Sequence, residues 1–210
     1  MKPPRFATFA VWVNGAVPGL LLLWDAWHGR LGANPVQFAI RTTGLLALIF
    51  LGLSLLITPL RQLTGVNALF PHRRTLGLYA AIYAFAHLTI FFWFDRQRSV
   101  AGTWHEIVTR TYLWFGAIAL LALVPLTITS TQRMVHRLGA KRWKALHRLA
   151  YVAAVAAVVH YCLAGKILTV QAVAFTGVIG LLLLYRLAAP WFKPKPRARV
   201  GKQRPPTVPA

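Results

Sequence analysis

The chain contains seven histidines, and two of them sit where an imidazole is costly. His87 lies inside YAAIYAFAHLTIFF and His160 inside AYVAAVAAVVHYCLAG. Both runs are uncharged and apolar, so a polar ring there needs a partner and is a functional candidate by default. At about 1.5 Å per residue, His87 lies about 20 Å beyond Arg74 and His160 about 18 Å beyond Arg148. Two imidazoles at matching depth on parallel, non-consecutive helices can grip one iron from both sides, which is the requirement for low-spin heme. The two helices must then face each other. The alternative is a pair of independent core histidines, each bonded to a neighbouring hydroxyl or backbone carbonyl.

The residues around both histidines are small. Before His87 come Ala84, Tyr83 and Ala80, with Gly77 beyond; around His160 come Ala153, Ala156, Ala157 and Ala164. A flat macrocycle needs small residues beside its ligands, although the same pattern also serves close helix packing. Zinc would need a third nitrogen, sulfur or carboxylate at that depth. His147 precedes His160 by 13 residues, about 140° round a helix and about 20 Å along it, so the two cannot serve one iron. Three roles for His147 stay open: ligand of a second heme with His72 as partner, hydrogen-bond partner of a flavin or quinone, or a ring reaching the headgroups.

The elements that must position these side chains follow from composition. Of 210 residues, 57% are hydrophobic and 13% charged, with a mean hydropathy of +0.55, which describes an integral membrane protein. The 24 Lys and Arg face three acids, Asp25, Asp95 and Glu106. So few carboxylates exclude a hydrolase driven by paired acids. The lone Cys162 excludes an intramolecular disulfide and a cysteine-based metal site. Because the cations lie between apolar runs, their first meaning is topology and anionic membrane lipid, with no nucleic acid partner.

Six uncharged intervals, 6–24, 42–60, 75–94, 111–132, 149–165 and 167–185, are each about one bilayer long. They predict an all-α, six-transmembrane-helix bundle over residues 1–190. Residues 191–210, rich in Pro, Lys and Arg, read as a disordered basic cytoplasmic tail. The first interval carries Asn14, Pro18 and Asp25 without a convincing cleavage site, so it reads as a span and not a signal peptide. Eighteen of the 24 cations fall on the side of both termini, which places both termini in the cytoplasm. Loops 25–41 and 95–110, with Trp104, His105 and Glu106, then face the periplasm and could dock a partner.

Longer stretches carry a resemblance. SLLITPLR at 54–61, RRTLGLY at 73–79, AHL around His87, TSTQ at 129–132, and LGAKRWKALHRLAY at 138–151 followed by HY at 160–161 resemble the heme-binding subunits of the protein-methionine-sulfoxide reductase system. Those subunits belong with the ferric-reductase-like transmembrane domains. The resemblance implies a bacterial inner-membrane cytochrome with heme b and FMN. Its electrons would come from the quinone pool or a cytosolic flavin reductase and pass to a periplasmic molybdopterin methionine-sulfoxide reductase subunit that repairs oxidised proteins. It places the family's histidines on His87, His147 and His160. Two-heme ferric reductases carry a second histidine on the third span, where this chain has Arg73 and Arg74, and that departure favours one heme. A flavin phosphate would find Arg73, Arg74, Lys141, Arg142, Lys144 and Arg148; topological anchoring explains the same cations without flavin. The competing classes are a ferric-reductase-like protein with another acceptor, a structural subunit, and a transporter, for which Asn14 with Pro18 is the best sign.

Overall fold

The computed structural model of the chain describes residues 5–165 and 167–188. Among these residues there are eight helices and no strand: α1 (Arg5–Trp27), α2 (Pro35–Thr64), α3 (Arg73–Ile90), α4 (Val100–Thr109), α5 (Thr111–Ile128), α6 (Gln132–Leu146), α7 (Leu149–Ala164) and α8 (Val170–Ala188). A 3₁₀ turn, Phe70–His72, leads into α3, and a π-helical stretch, Phe91–Asp95, prolongs it. Five helices are long and apolar enough to cross a membrane, or six when α6 and α7, bent by 42°, are counted together as one broken span. The protein is a multi-pass membrane protein. The expected tail from 191 lies outside the described residues.

Local chemistry sets the helix ends. Asn34 caps α2 by accepting the Gln37 N–H at 3.2 Å, and Pro35 fills the first turn, where its missing N–H costs nothing. The helix therefore starts seven residues before the uncharged interval and carries Arg41, whose side chain is exposed. Gly65 ends it in the left-handed region, at φ 73°. The two segments expected as loops, 95–110 and 133–148, contain α4 and α6. Ser99 caps α4 through the Gly102 N–H, and Thr131 caps α6 through the Met134 N–H. Reading spans from uncharged intervals misses such helices, because the charges on their polar faces were taken as span boundaries. At Gly139 the backbone turns to φ 75° and breaks α6.

The tightest pairings are α2 with α3 and α5 with α7. Their shared core holds Leu48, Leu51, Leu55, Tyr79, Tyr83 and Val158. Ala80, Ala153 and Ala154 are fully buried there. With no hydrophobic drive between helices in lipid, such small residues allow the close backbone approach that packing needs.

A proline leaves the carbonyl four residues before it without its ladder donor, and at Pro59 a side chain from another helix supplies a replacement. Pro59 cannot donate to the Leu55 carbonyl, and Arg186 Nη2 on α8 does so at 2.7 Å. Near Pro18 in α1, the Tyr83 hydroxyl accepts the Gly19 N–H at 2.9 Å and donates to the Gly15 carbonyl at 2.8 Å. One turn earlier on α3, Tyr79 donates to the Trp12 carbonyl. Gly15 admits the Tyr79 ring, since a Cβ there would stand 2.3 Å from it. These two phenols are the main polar ties between α1 and the bundle. Tyr83→Phe should weaken the docking of α1 by about 1 kcal/mol. Cysteine pairs across the α1–α3 seam will report this as slower cross-linking in membranes; an unchanged rate would show that the hydroxyl does not hold the helix.

Candidate functional site

His87 on α3 and His160 on α7 face each other across the bundle. Their ring centroids are 6.1 Å apart and the ring planes are nearly perpendicular, at 88°. Each ring is held in the same way. His87 Nδ1 lies 2.8 Å from the Ile40 carbonyl on α2, and His160 Nδ1 lies 2.8 Å from the Tyr112 carbonyl on α5. A carbonyl can only accept, so Nδ1 carries the proton in both rings and the Nε2 lone pairs are left available.

A glycine stands four residues after each accepting carbonyl. A Cβ on Gly44 would lie 2.9 Å from His87 Nδ1, and one on Gly116 would lie 2.9 Å from His160 Nδ1. A helical side chain covers the turn on its N-terminal side. Glycine therefore bares the carbonyl of Ile40, and likewise of Tyr112, for a second hydrogen bond. The two units, Ile40–Gly44–His87 and Tyr112–Gly116–His160, repeat the same device on the two tightest helix pairs.

An imidazole nitrogen binds a first-row metal at about 2.0–2.1 Å, so two rings on opposite sides of one ion have centroids roughly 6 Å apart. The observed separation fits that requirement. Among the described residues, no group of three His, Cys, Asp or Glu comes together to hold a bare ion. His87 and His160, beside Ala80, Ala84, Ala153 and Ala157, all buried or half-buried, would hold a porphyrin iron, whose other ligands belong to the macrocycle.

The two ends of the bundle differ sharply in charge. At one end Asp95 accepts from Arg96 and from Gln37 Nε2, the latter at 3.0 Å, while Glu106 takes Arg96 at 2.8 Å and pairs with Arg110. Glu106, and after it Tyr112, raises the Arg110 guanidinium above its ordinary value. Two open recesses lie at this end. One of about 490 Å³ is lined by Arg110, Thr111, Tyr112 and Leu163, and another of about 320 Å³ by Leu31, Asn34, Gln37, Phe38 and Arg41. Each adjoins a turn that anchors one of the histidines.

The opposite end is basic. His147, in the break between α6 and α7, lies 3.2 Å by Nε2 from Thr129 Oγ1, and its ring stacks on Trp143 at 3.9 Å. Trp143 Nε1 donates to the Thr129 carbonyl at 3.0 Å. His147 is thus tied to the end of α5, apart from the facing pair. It lies within electrostatic reach of Arg73 and Arg74. His72 is buried in the 3₁₀ turn. Arg73 and Arg74 are half-buried, whereas Lys141, Arg142, Lys144 and Arg148 are exposed. Sequence reasoning missed Gly44 and Gly116, whose signal is visible only once helix partners are known. It also missed Arg186, whose side chain reaches into the bundle.

Comparisons with known proteins identify the family. Residues 43–158 match the model of the ferric reductase like transmembrane component family, a stretch that starts one residue before Gly44 and ends two residues before His160. Among relatives, a protein of Herminiimonas arsenicoxydans is 45% identical over 78% of this chain and 76% of its own length. One from Rhodospirillum rubrum is 44% identical over 87% of this chain and 88% of its own, and one from Agrobacterium fabrum is 40% identical over 90% and 88%. All three are named protein-methionine-sulfoxide reductase heme-binding subunit MsrQ. On this likeness, which covers most of the chain at well above 30% identity, the chain belongs to the MsrQ family within the ferric reductase like transmembrane components.

Proposed function

We propose that this chain is a membrane electron-transfer subunit that holds heme b between His87 and His160. It serves a periplasmic molybdopterin methionine-sulfoxide reductase subunit in the repair of oxidised proteins. The observation that carries the reading is the pair of imidazoles, each anchored through Nδ1, with centroids 6.1 Å apart. The names of the relatives support it. When bound, an iron porphyrin supplies a one-electron couple.

The chain's own residues do the rest. The Ile40 and Tyr112 carbonyls fix the tautomer and orientation of the two rings and raise the basicity of Nε2. The alanines of α3 and α7 leave room for a flat group while the surrounding apolar side chains keep water out. The end that carries the three acids, with its recesses beside Ile40 and Tyr112, faces the periplasmic partner. The basic end faces the cytoplasm, by the positive-inside rule. There electrons enter from the quinone pool or a cytosolic flavin reductase, and Arg73, Arg74, Arg142 and Arg148 offer cations for the phosphate of FMN. His147, bonded to Thr129, belongs to this donor side.

His87→Ala and His160→Ala should each abolish most of the Soret absorbance of the purified protein, and His147→Ala should keep it. Gly44→Ala and Gly116→Ala should lower heme content several-fold, because the new methyl displaces the ring that the carbonyl holds. A wild-type reduced spectrum in either histidine variant would remove that residue from the site. Orientation is tested separately: a cysteine at His105 should react with a membrane-impermeant thiol reagent applied from outside. Labelling only after the membrane is opened would reverse the proposed direction of transfer.

A further inference from the structure

The basic end contains two arginines whose charge no acid of the described chain can balance. Arg186 reaches from α8 to α2 and α7. Its Nη2 donates to the Leu55 carbonyl at 2.7 Å, its Nη1 to the Tyr151 hydroxyl at 2.8 Å, and its guanidinium lies over the Tyr151 ring at 5.2 Å. Its Nε is buried with no partner, as is Thr58 Oγ1 one turn beyond Leu55 on α2. Arg73 is brought to the same turn of α2 by its backbone, whose carbonyl accepts the Ser54 hydroxyl at 2.9 Å. The Arg73 guanidinium lies within electrostatic reach of Arg186 and Tyr151. It is half-buried and makes no side-chain hydrogen bond among the described residues.

The three acids of the chain are Asp25, Asp95 and Glu106. Asp25 lies in the last turn of α1, and Asp95 and Glu106 are bonded to Arg96 and Arg110, so all three stand at the far end of the bundle. Two half-buried cations side by side are unfavourable unless a counter-charge reaches them. Guanidinium groups are shaped for the oxygens of a phosphate. The Tyr151 hydroxyl, which accepts from Arg186, keeps its own hydrogen for a third bond.

We infer that Arg73 and Arg186, with the Tyr151 hydroxyl, form a phosphate-binding site at the basic end, between α2, α3, α7 and α8. The phosphate comes either from the headgroup of an anionic phospholipid or from FMN, and only the second source rests on the flavin part of the proposed function.

The test compares full-length wild type, Arg73→Gln, Arg186→Gln and Arg133→Gln, each reconstituted with phosphatidylcholine vesicles containing phosphatidylglycerol and with FMN. Retained phospholipid and flavin are measured by native mass spectrometry after exchange into neutral detergent. Arg133 is exposed at the same end and controls for surface charge. Wild type and Arg133→Gln should each keep one phosphate-bearing molecule, and Arg73→Gln should keep at least about tenfold less with the heme spectrum unchanged. Arg73→Gln carries the test because Arg186→Gln also strips the Leu55 carbonyl of its donor. Retention of phosphatidylglycerol without flavin upholds the site and removes FMN from it. A wild type that keeps neither molecule, an Arg73→Gln that keeps as much as wild type, or equal loss in Arg133→Gln overturns the proposal.

Discussion

A histidine buried in hydrocarbon can offer one nitrogen to a ligand only if the other is already bonded, and the bundle is arranged round that requirement. Neither histidine bonds to its own helix: each donates to a neighbouring helix, at a carbonyl whose second lone pair is not covered by a side chain. Gly44 and Gly116 create that opening above Ile40 and Tyr112. The close pairings α2–α3 and α5–α7 are thus the same fact as the orientation of the two rings. The remaining helices hold those pairs at the separation the rings require.

Much of this was legible in the chain. The depth of His87 and His160 below the nearest arginines follows from helical rise alone, and two equal depths on parallel spans anticipate a facing pair. The six spans were legible because charge is excluded from the bilayer core. What could not be read was anything that depends on which helices touch. A glycine in RTTGLL or LWFGAI is unremarkable until a histidine is set opposite it. The amphipathic helices α4 and α6 were hidden by the rule that found the spans. Arg186 is the donor that Pro59 makes necessary; a proline in one span and an arginine in another have no sequence relation that marks them as partners.

Polar side chains bind this bundle together where an aqueous protein would rely on apolar burial. Tyr79, Tyr83, Ser54 and Arg186 each bond to a backbone carbonyl of another element. In lipid, apolar contact with a helix and with an acyl chain are nearly equivalent, so specificity falls to such bonds and to small residues. The distribution of charge follows the same economy. The three acids are gathered at one end, where Asp95 and Glu106 are paired with Arg96 and Arg110, and the other end has cations alone.

The weak attachment of α1 has a consequence for how the protein is made. Most of its length faces outward, and its ties to the bundle are chiefly the hydroxyls of Tyr79 and Tyr83, more than sixty residues further along the chain. Synthesised before α3, α1 gains its main docking surface only once α3 has entered the membrane. Until then it stays in lipid with the turn at Pro18 lacking the phenol that later bridges it. Assembly of this bundle is thus not strictly sequential: α1 inserts before α3 and is tied down only after α3 has arrived.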